Sequence, residues 1–137
     1  MNLSALVRDN ITDILIRIIK FTQKRHKILI QNIINVRDPE FIPKELEVHE
    51  FSSLLSRAVD EHVRNRRLIL CDSENIKFDL EGRLEIKPVV DELGRKLFEE
   101  NREKYLERQL DKLWENSLNQ KLAAELLKKK HKVVRFD

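Results

Sequence analysis

The sequence is poor in the residues that interrupt helices and strands. It has 2 glycines and 3 prolines among 137 residues. So few chain-breaking residues leave little room for the many tight turns of a β-sandwich or β-barrel. They also exclude a glycine-rich phosphate-binding loop, which needs several glycines within a few positions. These absences favour a chain built mainly from long helices.

Residues that carry catalysis or bind metals are also sparse. Cys71 is the single cysteine, which excludes an internal disulfide and a cysteine-based zinc site. Because it follows the apolar residues 68–70, we expect it to be a small buried hydrophobic residue rather than a nucleophile. No two of the four histidines stand at the i, i+4 spacing of a zinc-binding helix. We therefore expect no enzyme activity, no metal and no cofactor.

The charged fraction is high, at 37%, but the net charge is only +3. Basic residues cluster at 24–27, 64–67 and 128–132 without interleaved aromatic residues. This pattern favours solvated helix faces over a polyanion site, so we expect neither a nucleic-acid partner nor a small-molecule substrate. No run approaches the roughly 20 apolar residues that a membrane span needs. Arg8 and Asp9 interrupt the N-terminal segment before the apolar region of a secretion signal could form.

Residues 3–36 carry a long apolar stripe at helical spacing. Its members are Val7, Ile11, Ile14, Ile18, Phe21 and Ile28. A buried strand is the alternative for residues 14–19, but the surrounding three-and-four spacing favours a helix. The stripe turns polar at Arg25, Asn32 and Asn35. Asp38 should end the helix, because it precedes Pro39 and the residue before a proline avoids the helical region.

Residues 90 to about 134 are predicted to form a second long helix, bent at Gly94 and continuous through 101–104. We call the row of side chains that packs on the first helix the seam, and we place it at Leu106, Leu110, Leu113, Ala124 and Leu127. Trp114, Leu118, Leu122 and Leu126 widen this stripe, so Trp114 is expected in the core. Polar residues at seam positions, here Ser117, Gln120 and His131, can fix the register between two helices.

The middle of the chain predicts an extended linker at 38–49, a short helix at about 50–67 and a β-hairpin. Apolar residues alternate with polar ones on both sides of Gly82. A three-residue loop at 81–83 would pair Leu80 with Leu84 and Phe78 with Ile86, which places the apolar groups on one face.

The sequence thus predicts a mainly α fold. Two long terminal helices pair in coiled-coil fashion, with a short middle helix and a small β-hairpin between them. We divide the single domain into segments 1–37, 38–92 and 93–137. Helices of roughly 50 Å and 65 Å would overhang a compact domain of about 14 Å radius of gyration. Apolar stripes that overhang must be covered by other chains, which favours an assembly protein.

Two segments resemble the flagellar basal-body rod proteins. At the polar end of the first helix, residues 32–35 (Asn-Ile-Ile-Asn) stand where the family has Asn-Ile-Ala-Asn, and residues 38–41 (Asp-Pro-Glu-Phe) stand where it has Thr-Pro-Gly-Tyr. Residues 51–55 (Phe-Ser-Ser-Leu-Leu) fit the proximal-rod (FlgB-type) branch. Residues 106–118 resemble the closing helix of the family, including its Asn-x-Leu at 116–118. Residues 101–104 replace the Asp-Gly-Asn-Asn-Val that the family carries before that helix, which indicates a divergent member.

The resemblance implies a structural subunit of the bacterial flagellar basal-body rod. Such a subunit is exported by the flagellar type III apparatus without a cleaved signal and assembles helically through paired N- and C-terminal helices. Its partners would be other rod subunits, the membrane-ring base and the export apparatus. A cytoplasmic helical chaperone or adaptor that binds a partner helix is the alternative. The residues expected to pair helices or to support assembly are Ile11, Ile14, Ile18, Phe21, Asn32, Asn35, Leu106, Leu110, Leu113, Trp114, Asn116, Leu118 and Leu127.

Overall fold

The computed structural model of the chain describes residues 9–79 and 83–135, with side chains described as far as residue 130. Its helices and strands are α1 (Asn10–Ile34), β1 (Lys44–Glu45), α2 (Val48–Asn65), β2 (Ile76–Phe78), β3 (Leu84–Ile86), β4 (Val89–Val90), α3 (Glu92–Glu100) and α4 (Arg102–Arg135). The predicted mainly α fold, with long helices toward both ends and a small hairpin between them, is confirmed over these residues. The predicted middle helix corresponds to α2, within the two-residue tolerance of helix ends.

The two long helices, α1 and α4, lie antiparallel and in contact along their length. Asp9 caps α1, because its carboxylate accepts a hydrogen bond from the amide of Thr12 at 2.8 Å. The same carboxylate lies 2.9 Å from the ammonium of Lys130, near the far end of α4. At the other end of α1, Asn32 donates to Gln109 at 3.0 Å. These contacts fix the relative direction of the two helices.

A neighbouring side of α1 packs on α2 and on the hairpin of β2 and β3. The rings of Phe21 and Phe51 stack with their centroids 4.0 Å apart. Around them lies a cluster of buried apolar side chains, namely Phe21, Leu46, Phe51, Leu54, Ile76 and Ile86. Phe78 and Leu84 pack against this cluster from the hairpin. The prediction that the apolar groups of the hairpin share one face is therefore confirmed.

The register of the hairpin differs from the prediction by two residues. Phe78 pairs with Leu84, and Ile86 pairs with Ile76 instead of Phe78. The amide of Asp79 donates to the carbonyl of Arg83 at 3.0 Å, next to the pair of Phe78 and Leu84. A shift of two keeps each side chain on its face, so the apolar pattern could not distinguish the two registers. Leu80 lies outside the described residues.

The predicted helix from 90 to 134 is two helices, and the prediction of continuity through 101–104 is wrong. The backbone of Asn101 is extended, with φ −156° and ψ 94°, and it separates α3 from α4. Its side-chain oxygen accepts from the amide of Lys104 at 3.1 Å, so it caps the start of α4. Asparagine favours such caps over helix interiors, because its side chain competes for backbone hydrogen bonds.

Gly94 lies inside the first turn of α3 and does not mark a bend between two long halves. The carboxylate of Asp91 caps α3 by accepting from the amide of Gly94 at 3.0 Å. A Cβ atom on Gly94 would lie 2.3 Å from the carboxylate oxygen Oδ2 of Asp91. Glycine at 94 therefore gives room to a buried capping carboxylate.

A second small sheet joins the linker after α1 to the start of α3. In this antiparallel pair, β1 lies beside β4, with Lys44 opposite Val90 and Glu45 opposite Val89. The amide of Asp91 then donates to the carbonyl of Pro43 at 3.0 Å. The pairing brings Glu45 and Asp91 close together under α4, although 46 positions separate them in the sequence.

Candidate functional site

The face of α4 that packs on α1 is largely polar and lies one position away from the predicted seam. Its most buried side chains are Tyr105, Gln109, Asn116 and Ala123, each no more than 3% exposed. Of the predicted seam residues, Leu106, Leu113 and Leu127 are half-buried, whereas Leu110 and Ala124 are exposed. The prediction placed the seam on the apolar stripe. The inward face is instead the polar one, because α1 presents polar groups that require polar partners when they are buried.

Asn32 is the centre of this polar contact. Its amide nitrogen donates to the carbonyl of Lys44 at 2.8 Å and to the side-chain oxygen of Gln109 at 3.0 Å. Its side-chain oxygen accepts from the amide of Lys44 at 3.2 Å. Asn32 thereby holds α1, β1 and α4 together while it is only 1% exposed. A buried side chain that satisfies three other groups fixes the relative position of these elements.

The first turn of α4 satisfies carbonyl groups at the end of α1. The amide of Val36 turns to the carbonyl of Ile33, so it does not bond to the carbonyl of Asn32. The buried hydroxyl of Tyr105 donates to that carbonyl at 2.7 Å. Arg102 donates to the carbonyl of Val36 at 2.7 Å. Because the last carbonyls of a helix have no partner within it, Tyr105 completes the end of α1. Arg102 holds the turn that follows it.

Asn116 supplies a second polar contact nearer the middle of the two helices. Its amide nitrogen donates to the carbonyl of Thr22 at 2.8 Å, and Asn116 is 1% exposed. The hydroxyl of Thr22 turns back to the carbonyls of Ile18 and Ile19, each at 2.9 Å. The predicted pairing residues Asn32 and Asn116 thus both lie between α1 and α4.

A network of buried ion pairs lies between these two polar contacts. Arg25 on α1 donates twice to Glu45 on β1, each time at 3.1 Å. Lys112 on α4 lies 3.0 Å from Glu45 and 3.3 Å from Asp91. Arg108 approaches Asp91 at 3.7 Å. The network joins α1, β1, the start of α3 and α4, and removing Glu45 would leave the buried guanidinium of Arg25 without its acidic partner.

The basic side chains favour the ionised forms of both carboxylates. Burial alone would raise the pKa of Glu45, but the hydrogen bonds and charge of Arg25, together with the charge of Lys112, hold that pKa below its ordinary value. Burial would likewise raise the pKa of Asp91, but the amide of Gly94 and the charges of Lys112 and Arg108 lower it. Burial, followed by the negative charge of Asp91, raises the pKa of Tyr105, so its hydroxyl stays a donor.

α4 exposes a row of large apolar side chains at every fourth position, which we call the α4 row. It consists of Leu110, Trp114, Leu118, Leu122 and Leu126, between 44% and 70% exposed. The prediction that Trp114 lies in the core is wrong, since it is the most exposed member at 70%. Contiguous exposed apolar side chains on a folded chain mark interaction surfaces.

An apolar groove runs between α2 and α4, with α1 as its floor. Its accessible volume is about 280 Å³. The lining includes Ile18 and Phe21 from α1, Val48, Phe51, Ser52 and Leu55 from α2, and Leu122, Ala123 and Leu126 from α4. The last two members of the α4 row therefore also form one lip of this groove. A helix with an apolar face is the kind of ligand that such grooves accept.

The remaining predicted residues of α1 lie in several environments. Ile14 is buried, and Ile11 is half-buried near the start of the helix. Ile18 and Phe21 face α2 and the groove. The side-chain amide of Asn35 donates to the backbone carbonyl and to the side-chain oxygen of Gln31, one turn earlier. The structure therefore brings Asn32 and Asn116 to the contact of the long helices and leaves Asn35 outside it.

The sequence did not lead us to five residues of the polar contact, namely Tyr105, Gln109, Lys112, Glu45 and Asp91. The spacing of Tyr105, Gln109 and Lys112 could have indicated them. Positions 105, 109, 112 and 116 repeat at the three-and-four spacing of a helix face, like the leucines beside them. The polar interruption at Asn32 in α1 required polar partners, and this row of α4 provides one of them, the side-chain oxygen of Gln109. Cys71, predicted to be buried, is exposed, because it lies in the irregular segment after α2.

Among residues 9–79 and 83–135, no group of histidine, cysteine or acidic side chains is arranged to hold a metal ion. Within the same residues, no helix combines the length and apolarity required to cross a bilayer. Comparison of the chain with models of protein families, with curated proteins and with solved structures finds no match. The candidate site is therefore defined by its own geometry: a polar contact between α1 and α4 that positions an exposed apolar row.

Proposed function

We propose that this chain is a non-enzymatic structural subunit that assembles with other proteins through the α4 row. The α4 row supports the proposal, because five large apolar side chains stand in water although α4 has already packed on α1. Exposed apolar surface of this extent is covered when a partner binds. The polar contact of Asn32, Gln109 and Asn116 would hold α4 in one position, so that it presents a fixed surface.

The resemblance gives this assembly a specific setting. Residues 32–41 and 106–118 resemble the two end signatures of flagellar basal-body rod proteins. We therefore propose a rod subunit in the bacterial flagellar basal body, exported without a cleaved signal. Its partners would be other rod subunits, the membrane-ring base and the export apparatus. The antiparallel contact between α1 and α4 supports this setting, because subunits of that family assemble through paired end helices.

The test is whether the α4 row is needed for assembly. We expect the purified chain to co-sediment with purified flagellar rod subunits, and Trp114→Asp to abolish co-sedimentation because a charge would replace a large apolar contact. Val63→Asp is the matched control, since Val63 is 64% exposed on α2, outside the α4 row. Both variants should keep the helical circular dichroism of the parent chain. Equal co-sedimentation by the parent and Trp114→Asp would contradict the proposal.

Trp114 also provides a direct signal, because it is the only tryptophan of the chain. Its indole is 70% exposed in the isolated chain, so its fluorescence should be that of a solvated indole. Binding through the α4 row should shift the emission to the blue. An emission spectrum that does not change on co-assembly would place the contact elsewhere.

The apolar groove favours a second candidate function, a cytoplasmic chaperone or adaptor that binds a partner helix. Ser52 is exposed and lines the groove, whereas the equally exposed Ser53 does not line it. In an adaptor, Ser52→Trp should block binding of the partner helix and Ser53→Trp should not. In a rod subunit, Trp114→Asp should be the change that abolishes co-sedimentation with rod subunits. Cell fractionation adds an independent test, since an adaptor would be absent from purified basal bodies.

A further inference from the structure

A second groove, which we call the polar groove, lies between α1 and α4 on the other flank of their contact. Its accessible volume is about 730 Å³. The lining includes Gln23, His26 and Lys27 from α1 and Ser117, Gln120 and Lys121 from α4. Thr22 and Ala123 line the apolar groove, whereas their neighbours Gln23 and Ala124 line the polar one. Because consecutive positions of a helix point in different directions, the two grooves lie on either side of the contact.

The polar groove is positively charged. Among the described residues, its lining includes the exposed side chains of Lys27 and Lys121 and contains no aspartate or glutamate. Residues 14–37, which include most of α1, contain no acidic residue. Neither Lys27 nor Lys121 forms a hydrogen bond or an ion pair through its ammonium group in the described part of the chain. Both charges are therefore available to an anionic ligand.

The acidic residues of α4 nearest to this groove do not neutralise it. Glu115 stands four positions before Asn119 and seven before Leu122, which both line the apolar groove, so it belongs to the other flank. Glu125 lies one turn after Lys121 but does not line the polar groove. A lysine placed before a glutamate is also the weaker order for an ion pair along a helix. The positive charge of the groove is therefore left without a partner on α4.

The two lysines have a defined spacing along the groove. The hydrogen bond from Asn116 to the carbonyl of Thr22 fixes the point at which the helices meet. Lys27 lies five positions after Thr22, and Lys121 lies five positions after Asn116. Because the helices are antiparallel, the lysines lie on opposite sides of that point, and their Cα atoms are about 15 Å apart along the helix axes. This separation is about three turns of a helix.

We propose that the polar groove binds a helix of a partner protein that presents two carboxylates three turns apart, one to Lys27 and one to Lys121. Ser117 and Ala124 stand two turns apart on the α4 side, and their small side chains leave room for the backbone of such a helix. Nucleic acids and anionic bilayers are held by many cations spread over a surface. Two ammonium groups at a fixed spacing suit two discrete carboxylates instead, and complementary charge of this kind gives specificity.

Titration of the full chain with two synthetic helical peptides tests the site and its spacing. Both are alanine-based and have the same composition. The first carries two glutamates about eleven positions apart, on one face and three turns apart, and the second carries them about five positions apart, on different faces. We expect saturable binding of the first peptide at low ionic strength, measured by fluorescence anisotropy of a terminal label, with a dissociation constant at least roughly fivefold lower than that of the second.

Charge-reversal variants assign the binding to the groove. Lys27→Glu and Lys121→Glu should each raise the dissociation constant of the first peptide at least roughly tenfold, because a like charge would face its glutamate. Lys96→Glu is the matched control, since Lys96 is exposed on α3 and the change in net charge is the same, and its effect should stay below about threefold. Glu125→Gln should lower the constant by up to about threefold, because it removes the nearest like charge.

Three results would overturn the proposal. The first is no saturable binding of either peptide at about 300 µM chain, and the second is equal affinity for the two peptides. The third is binding of a DNA duplex or of phosphatidylserine vesicles, but not of the first peptide, that Lys27→Glu and Lys121→Glu abolish, which would assign the groove to a polyanion. Co-sedimentation with rod subunits is a separate measurement, because the proposed assembly depends on the α4 row.

Discussion

Asn32 and Gln109 lie 77 positions apart in the sequence and share a hydrogen bond of 3.0 Å inside the contact of α1 and α4. Both side chains are almost fully buried. Asn32 also bonds to both backbone polar groups of Lys44. Together these bonds join three elements, and they explain why a polar face of α4 packs inward while the α4 row remains exposed.

The first prediction concerns Asn32. Replacing it with leucine preserves approximate size but leaves the backbone groups of Lys44 and the side chain of Gln109 without their partner. We expect Asn32→Leu to lower the free energy of unfolding by about 2–4 kcal/mol. Urea denaturation at neutral pH measures the change. Asn35→Ala is the control, because the bonds of Asn35 to Gln31 are exposed, and it should cost less than about 1 kcal/mol. Equal losses for the two variants would contradict the assigned role of Asn32.

The second prediction separates the observed contact from the predicted seam. Ala123 is 3% exposed and Ala124 is exposed, although they are neighbours in the same helix. Ala123→Leu would place extra atoms between α1 and α4, and we expect a loss of about 1–3 kcal/mol. Ala124→Leu should change the free energy of unfolding by less than about 0.5 kcal/mol. The opposite order of the two variants in thermal or urea unfolding would show that the predicted seam was correct.

The third prediction concerns Gly94 and Asp91. A Cβ atom at position 94 would displace the carboxylate of Asp91, so Gly94→Ala should destabilise the chain by about 1–3 kcal/mol. In an Asp91→Ala background that obstacle is gone, and Gly94→Ala should then be neutral or stabilising by up to about 1 kcal/mol, because alanine favours the helix. A double-mutant cycle in urea measures the coupling. Equal effects of Gly94→Ala in the two backgrounds would refute the contact.

The fourth prediction concerns acid. The pKa values of Glu45 and Asp91 are lowered in the folded chain from ordinary values of 4.5 and 3.8. The folded chain therefore holds these protons less tightly than the unfolded chain does. The stabilisation is complete above the ordinary values and is lost as the pH falls below them, through the lowered folded pKa values. Urea midpoints measured from neutral pH down to about pH 3 should fall across this window.

Glu45→Gln tests the source of that acid sensitivity. The amide still fills the site but cannot neutralise Arg25 and Lys112, so the variant should be less stable than the parent at neutral pH. Its urea midpoint should also depend less steeply on acid, since one of the two titrating groups is gone. A variant whose midpoint falls with pH as steeply as that of the parent would assign the sensitivity to other carboxylates.

Local features of the sequence predicted the elements well. The apolar spacing of residues 10–34, the alternation at 76–86 and the prolines between them were enough to predict α1, the hairpin and an extended linker. The polar interruption at Asn32, and the family resemblance at Asn116, also indicated residues that lie between the long helices. The break at Asn101 was missed, since an asparagine can either stand in a helix or cap one, and the choice depends on how the two flanking helices pack in space.

What the sequence by itself determined was which segments become helices and that apolar stripes run along both long ones. Which face of α4 turns inward was decided only by the tertiary structure. A leucine stripe and a polar row lie side by side on α4, and hydrophobicity favours the leucines. Asn32 presents a side-chain amide, and Glu45 and Asp91 present carboxylates, which are costly to bury without partners. The polar row supplies Gln109 to Asn32 and Lys112 to both carboxylates. The requirement to satisfy buried polar groups therefore turned the polar row inward and left the α4 row exposed.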